Sequence, residues 1–153
     1  MAEVKVFSGI DDLKANVGNT FGPTDWFEVT QDAVNMFADA TGDHQWIHVD
    51  VEKAKNGPFK GTIAHGFMTL SLIPMFGSQL TRVDGVKMGV NYGCDKVRFP
   101  HPVPVGSKLR ASATLSEVTD IAMGSRASWD WTIEAEGIEK PVCIARMLSV
   151  VVP

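Results

Sequence analysis

Asp43 and His48 are the residues of this chain whose types and spacing point most directly to chemistry. An imidazole titrates near neutral pH, and a carboxylate beside it exchanges and orients protons with it, so the two together can activate a water molecule. Their spacing sets a condition. On a continuous helix the step from one to the other would turn about 500°, roughly 140° net, and aim the two side chains apart. Gly42 meets that condition, because a glycine there is the usual C-terminal stop of a helix and hands Asp43 and His48 to a loop. Without further context Asp43 also reads as a turn residue and His48 as a satisfied loop histidine.

The elements that must position this pair are legible on both sides of it. Upstream, Asp25–Thr30 reads as a strand feeding a helix. Thr30 is its cap, Gln31 and Asp32 suit its first turn, and Val34, Phe37, Ala38 and Thr41 recur at helical spacing. A loop is expected from Asp43 to about Thr62, with Asn56-Gly57-Pro58 as turn chemistry. A second helix should run from near His65 towards Leu80. Its apolar residues Phe67, Met68, Leu70, Leu72, Ile73 and Phe76 surround the axis, which predicts burial on most sides. Pro74 should kink or divide it, since proline removes a backbone donor.

Beyond Asp84-Gly85 the period changes to two. Strands are expected at 86–93, continuing at 96–99 past a bulge, and at 107–118, 125–136 and 142–152. Trp129 and Trp131 share one strand face as core or interface residues. The last strand is apolar on both faces and so belongs in the sheet interior or under an interface. One buried helix followed by a run of antiparallel strands predicts an α+β fold with the sheet wrapped around the helix.

Composition narrows the function classes. The 153 residues suit a single domain over 1–153 with a substantial core. A net charge of −4, with no basic run interleaved with aromatics, argues against nucleic acid as a partner. The apolar stretch 63–76 is too short and too polar to span a membrane, and residues 1–6 lack a long apolar region, so no membrane partner and a cytoplasmic location are expected. Cys94 and Cys143 show no metal or redox spacing and read as buried free thiols.

The residues also carry a family resemblance. Gly42-Asp43-x-x-x-Ile47-His48, with Phe37 before it and Ala64-His65-Gly66-Phe67-Met68 after it, resembles the signature of the MaoC-like dehydratases, the (R)-specific enoyl-CoA hydratases and their nodulation protein N-like relatives. The run from Val97 to Ser107 is similar to a second landmark of that group, so the resemblance covers roughly residues 26 to 115. Gln45 and Trp46 depart from it, standing where Asn and Pro are common, and Trp46 is expected to reshape the pocket mouth. The resemblance implies a hot-dog fold and a homodimer with active sites near its interface. Dimerisation would also cover strand edges otherwise open to aggregation.

The reaction it implies is reversible hydration of a trans-2-enoyl-CoA to an (R)-3-hydroxyacyl-CoA, with an acyl-CoA as the partner and with neither cofactor nor metal. Asp43 and His48 then hold one water at C3, with Asp43 favoured as base and His48 as orienting residue and proton donor. Such a base should be desolvated enough to raise its proton affinity. The charge developing on the thioester oxygen needs a donor, and the candidate is the backbone N–H of Gly66, which lies in the first turn of the second helix without an intrahelical partner. His65 shapes the helix entry, with substrate contact as its second role. Arg98 is an ordinary strand-end arginine whose functional alternative is a CoA phosphate, and His101, among prolines, reads as a surface turn residue.

Three rival functions start from the same residues. His44-x-x-x-His48 with Asp43 and His65 offers the ligands of a metal hydrolase, although Gly42 ends the helix on which such spacing works best. Hot-dog domains also host thioesterases, because a fold does not choose a reaction. The third rival is a non-catalytic module that binds acyl thioesters.

Overall fold

The period-two segments become the long strands of one antiparallel sheet, and the second helix packs against it. A computed structural model describes residues 3–153. In chain order the elements are β1 (Lys5–Phe7), α1 (Ile10–Ala15), β2 (Thr20–Phe21), β3 (Phe27–Glu28), α2 (Gln31–Thr41), α3 (Trp46–Val49) and α4 (Val51–Lys55). They continue with α5 (Gly66–Ser71), α6 (Ile73–Leu80), β4 (Thr81–Val83), β5 (Met88–Arg98), β6 (Lys108–Ile121), β7 (Gly124–Ala135) and β8 (Cys143–Val152).

The main sheet has the order β2-β6-β7-β8-β5, with β3 also pairing to β6. Its register runs antiparallel from Leu109 opposite Ala135 to Ile121 opposite Gly124 between β6 and β7. The predicted alternation holds on β6, where Leu109, Ala111, Ala113 and Leu115 are buried. Leu109, Ala111 and Ala113, with Trp131 and Ile133 of β7, meet Phe76 of α6 in the main core, while Leu115 packs in a second cluster with Phe7 and Leu13. As the residue pattern implied, β8 lies inside the sheet, between β7 and β5. β5 is irregular on either side of the bulge expected between 93 and 96: Gly93, Cys94 and Asp95 pair regularly with β8, and the register shifts fall between Asn91 and Gly93 and between Asp95 and Arg98. The architecture is α+β, an antiparallel sheet around the α5–α6 helix.

Pro74 divides that helix. Its missing N–H cannot bond four residues back, so α5 stops at Ser71 and Pro74 falls in the first turn of α6, where the absent donor costs nothing. The helix is buried on most sides, with one exposed stripe: Phe67, expected among its buried residues, is 70% exposed, and Ser71 and Pro74 also face out. Three expectations change. The predicted 25–30 strand shrinks to the two residues of β3. The predicted 43–62 loop contains α3 and α4, which at four and five residues are too short to show a helical period; Asp50 caps α4 by accepting the Lys53 N–H at 3.1 Å. Cys143 is buried, which pushes its thiol up to about 11, but Cys94 is exposed on β5, an edge strand with a single neighbour. Among the described residues no helix is long and apolar enough to cross a membrane.

Helix α2 starts and stops where the sequence says. The Thr30 hydroxyl accepts the Ala33 N–H at 3.1 Å, and Gly42 ends the helix in the left-handed region at φ 83°. Among the described residues other than its chain neighbours, no atom lies within 4 Å of a Cβ built on Gly42, so replacing it costs backbone conformation and not a clash. Gly42→Ala is therefore expected to lower unfolding stability by about 1 kcal/mol, measured by urea denaturation. An unchanged midpoint would show that the turn into Asp43 does not depend on that conformation.

Candidate active site

His48 lies in the single turn of α3 and is buried. Its Nδ1 is 2.7 Å from the Ile63 carbonyl oxygen. A carbonyl only accepts, so Nδ1 carries the hydrogen, and in the neutral ring Nε2 is left with the lone pair. That assignment follows from the bond and makes Nε2 the atom at which His48 gains and loses a proton.

Asp43 follows the left-handed Gly42, and its carboxylate Oδ1 accepts the Gln45 N–H at 3.3 Å. It is exposed in the single chain, contrary to the expectation of a desolvated base, because the 43–45 turn lies on the surface at the end of α2. His65 reaches the same place from the start of α5. Its Nε2 donates to the Asp43 backbone carbonyl at 3.0 Å, and its ring stacks on His48 with centroids 3.9 Å apart and 24° between planes. A carboxylate oxygen of Asp43 and ring nitrogens of His48 and His65 all lie within 4.8 Å of one another. The two residues singled out by spacing are thus brought together, with His65 beside them.

Gln31 is a contributor the sequence reading missed. Its amide nitrogen donates to the His48 backbone carbonyl at 2.8 Å while its oxygen accepts the Thr62 hydroxyl at 2.6 Å. Read along the chain, it is only a polar first-turn residue of α2. The single hint is its type, since an amide both donates and accepts where a first-turn carboxylate would only accept.

His48 borders a cleft of about 280 Å³ whose walls include Phe59, Gly66, Thr69, Phe99 and His101. Gly66 opens α5, where backbone N–H groups lack intrahelical partners. A Cβ at Gly66 would meet the Phe99 ring at 2.9 Å, so the close approach of helix and ring requires glycine. His101 was expected on the surface but is half-buried and lines the cleft. Arg98 is exposed at the end of β5, donates to the adjacent Val97 carbonyl at 2.7 Å and does not line the cleft. His65 is not a lining residue either. Trp46 does not reshape the mouth: its ring packs on Gly57, under the Lys53 ammonium at 4.6 Å.

The donor set fits a metal poorly. His44 turns to Asp39 at 2.9 Å, and this hydrogen bond holds its imidazole above the ordinary histidine range. An imidazole lone pair lies in the ring plane, about 2 Å from any zinc it binds. The stacked rings of His48 and His65 therefore aim their lone pairs side by side instead of at one ion.

Comparison with known proteins adds independent findings. The family model described as MaoC like domain matches residues 12–130. The 3-hydroxyacyl-thioester dehydratase Z of Mycobacterium tuberculosis is 52% identical over 146 residues, covering 95% of this chain and 97% of that protein. Nodulation protein N of Rhizobium leguminosarum is 38% identical over 143 residues, with 92% and 89% covered. Among solved structures, the (R)-hydratase of A. caviae involved in PHA biosynthesis superposes with a TM-score of 0.73 at 20% identity, covering 90% of this chain and 96% of that one. That likeness establishes the hot-dog fold.

The Gln31 clamp has a measurable consequence. Gln31→Leu leaves the buried Thr62 hydroxyl and the His48 carbonyl without partners, and unsatisfied groups of this kind cost about 1–3 kcal/mol. Denaturant unfolding should show a loss of about 2 kcal/mol. A loss under about 0.5 kcal/mol would mean that solvent replaces the clamp.

Proposed function

The chain belongs to the MaoC-like dehydratase family, and from that premise we propose that it catalyses the reversible hydration of trans-2-enoyl-CoA to (R)-3-hydroxyacyl-CoA. The observation that carries this reading is the placement of the Asp43 carboxylate and the His48 ring within 4.8 Å of each other, with His48 on the wall of the cleft. The name of the mycobacterial relative, a 3-hydroxyacyl-thioester dehydratase, supports the same chemistry run in the opposite direction.

In the proposed mechanism the thioester carbonyl withdraws electrons from the double bond, so C3 is the electrophile. Asp43 removes a proton from the bound water as its oxygen bonds to C3, and protonated His48 delivers the proton on Nε2 to C2. A proton passing from Asp43 back to His48 restores the starting state, and the sum is one water added across one double bond. Nε2 is free for this work because Nδ1 is committed to Ile63. In this proposal the Gly66 N–H stabilises the negative charge on the thioester oxygen, a role supported by its position at the start of α5 on the cleft wall. A donor of this kind contributes roughly 3 kcal/mol in other enzymes. The step uses protons and a backbone donor alone, so the proposal includes neither metal nor cofactor.

The active unit is proposed to be a homodimer joined along β5. That strand has β8 on one side only, and it exposes Met88, Val90 and Tyr92, the last at 61%. A long apolar edge of this kind invites pairing with another copy. Its end runs into Phe99 on the cleft wall, which would set the second copy close to the site and provide the desolvation that the single chain does not give Asp43.

Two experiments follow. Crotonyl-CoA should lose its enoyl-thioester absorbance on adding the protein, and Asp43→Asn and His48→Gln should each reduce the rate at least ~100-fold while remaining folded. Full activity in either variant contradicts the assignment. In sedimentation velocity the wild type should be a dimer, and the double variant Met88→Lys, Tyr92→Lys a monomer; a variant that still dimerises would move the interface away from β5.

A further inference from the structure

Three side chains meet beside the cleft, and the reaction proposed above uses two of them. The third, His65, is 3% exposed and does not line the cleft. Its Nδ1 is buried and has no hydrogen-bond partner among the described residues. A solvent-shielded ring nitrogen without a protein partner is uncommon in native interiors and needs a reason. A phenyl ring would fill the same space without that penalty, so packing alone does not account for histidine here.

The rest of the ring supplies the reason. Nε2–H holds the backbone carbonyl of Asp43 at 3.0 Å, and the ring face lies on His48 at 3.9 Å. One planar side chain therefore touches both members of the pair, the main chain of one and the imidazole of the other. Phe37 packs on the same ring at 4.9 Å, so α2 helps to hold it in place. The two contacts need two properties at once: a donor aimed at Asp43 and a flat face against His48. Asparagine keeps a donor without the face, phenylalanine keeps the face without the donor, and histidine has both. The donor also dictates the tautomer, since a proton on Nε2 leaves Nδ1 bare in the neutral ring. The orphan nitrogen is then the by-product of the bond to Asp43.

We propose that His65 is a positioning residue that sets the separation and orientation of the Asp43 carboxylate and the His48 imidazole. This rests on the hydration reading, and it assigns His65 no contact with substrate. The role differs from that of Gln31, which holds only the main chain of His48. Misplacing a reacting group by about an ångström can cost on the order of 100-fold in rate, so a side chain bracing both groups should act on turnover more than on binding.

The test is crotonyl-CoA hydration by wild type, His65→Asn and His65→Phe, each also made in the Asp43→Asn background, with unfolding midpoints recorded alongside. Positioning predicts that kcat falls about tenfold or more in both single variants while KM stays within about twofold. In the Asp43→Asn background the same substitutions should cost less than about twofold more, because no pair remains to be positioned. Folded single variants with kcat within twofold of wild type overturn the inference. So does a full further tenfold loss in the Asp43→Asn background, which is the additive behaviour of a residue that only supports the fold. Ring-nitrogen NMR of the wild type needs no variant: His65 should be protonated at Nε2 and bare at Nδ1, and the opposite tautomer overturns the inference by removing the bond to Asp43. A wild type that hydrates no enoyl thioester defeats the reading on which the inference rests, while the ring spectra still report whether His65 holds Asp43.

Discussion

The hydrogen bond from His48 Nδ1 to the Ile63 carbonyl is the constraint on which the site depends. It is buried, and it joins the turn of α3 to the segment leading into α5. Most of all, it decides which nitrogen of the imidazole works. With Nδ1 occupied, every proton that His48 takes or gives passes through Nε2. A loop histidine without such a partner would exchange tautomers and rotate, and the carboxylate nearby would have no fixed counterpart.

Around that bond the fold places three short segments of chain at one point. Gly42 turns the end of α2 so that Asp43 faces back towards α3, and Gly66 lets the start of α5 approach Phe99. The sheet contributes at a distance. Leu109, Ala111, Trp131 and Ile133 hold α6 against β6 and β7, and because Pro74 only interrupts the helix, the same packing locates α5 and with it His65 and Gly66. Burial of the core thus carries over to the position of a few polar atoms at its edge, where the exposed Asp43 meets the buried His48.

Much of this was legible in the residues. Alternation along β6 and β7 is a two-residue pattern repeated many times, and it foretold both the strands and their buried faces. Gly42 and Pro74 are backbone-specific residues whose effects are local, so the helix stop and the helix break were readable. The motif around Asp43 and His48 supplied the pair, and the structure brings the two side chains together. What was not readable depends on distant contacts. Helices α3 and α4 are too short for a period, and the pairing of β1 with β4 joins residues far apart in sequence. Cys94 looks like a core residue until β5 is known to be an edge. Trp46 and His101 were misplaced for the same reason: which way a loop side chain turns is settled by its neighbours in space. His65 and Gln31 each bond a main-chain carbonyl, of Asp43 and of His48, and a bond to the main chain names no partner in the sequence.

The central claim is that the Asp43–His48 pair adds water across a carbon–carbon double bond and leaves the thioester intact. Turnover of crotonyl-CoA in water enriched in oxygen-18, followed by chiral separation and mass spectrometry, addresses it directly. The predicted product is (R)-3-hydroxybutyryl-CoA with the heavy oxygen on C3 and no free thiol. Heavy oxygen in a released carboxylate, accompanied by free CoA, would contradict the account and identify hydrolysis of the thioester in its place.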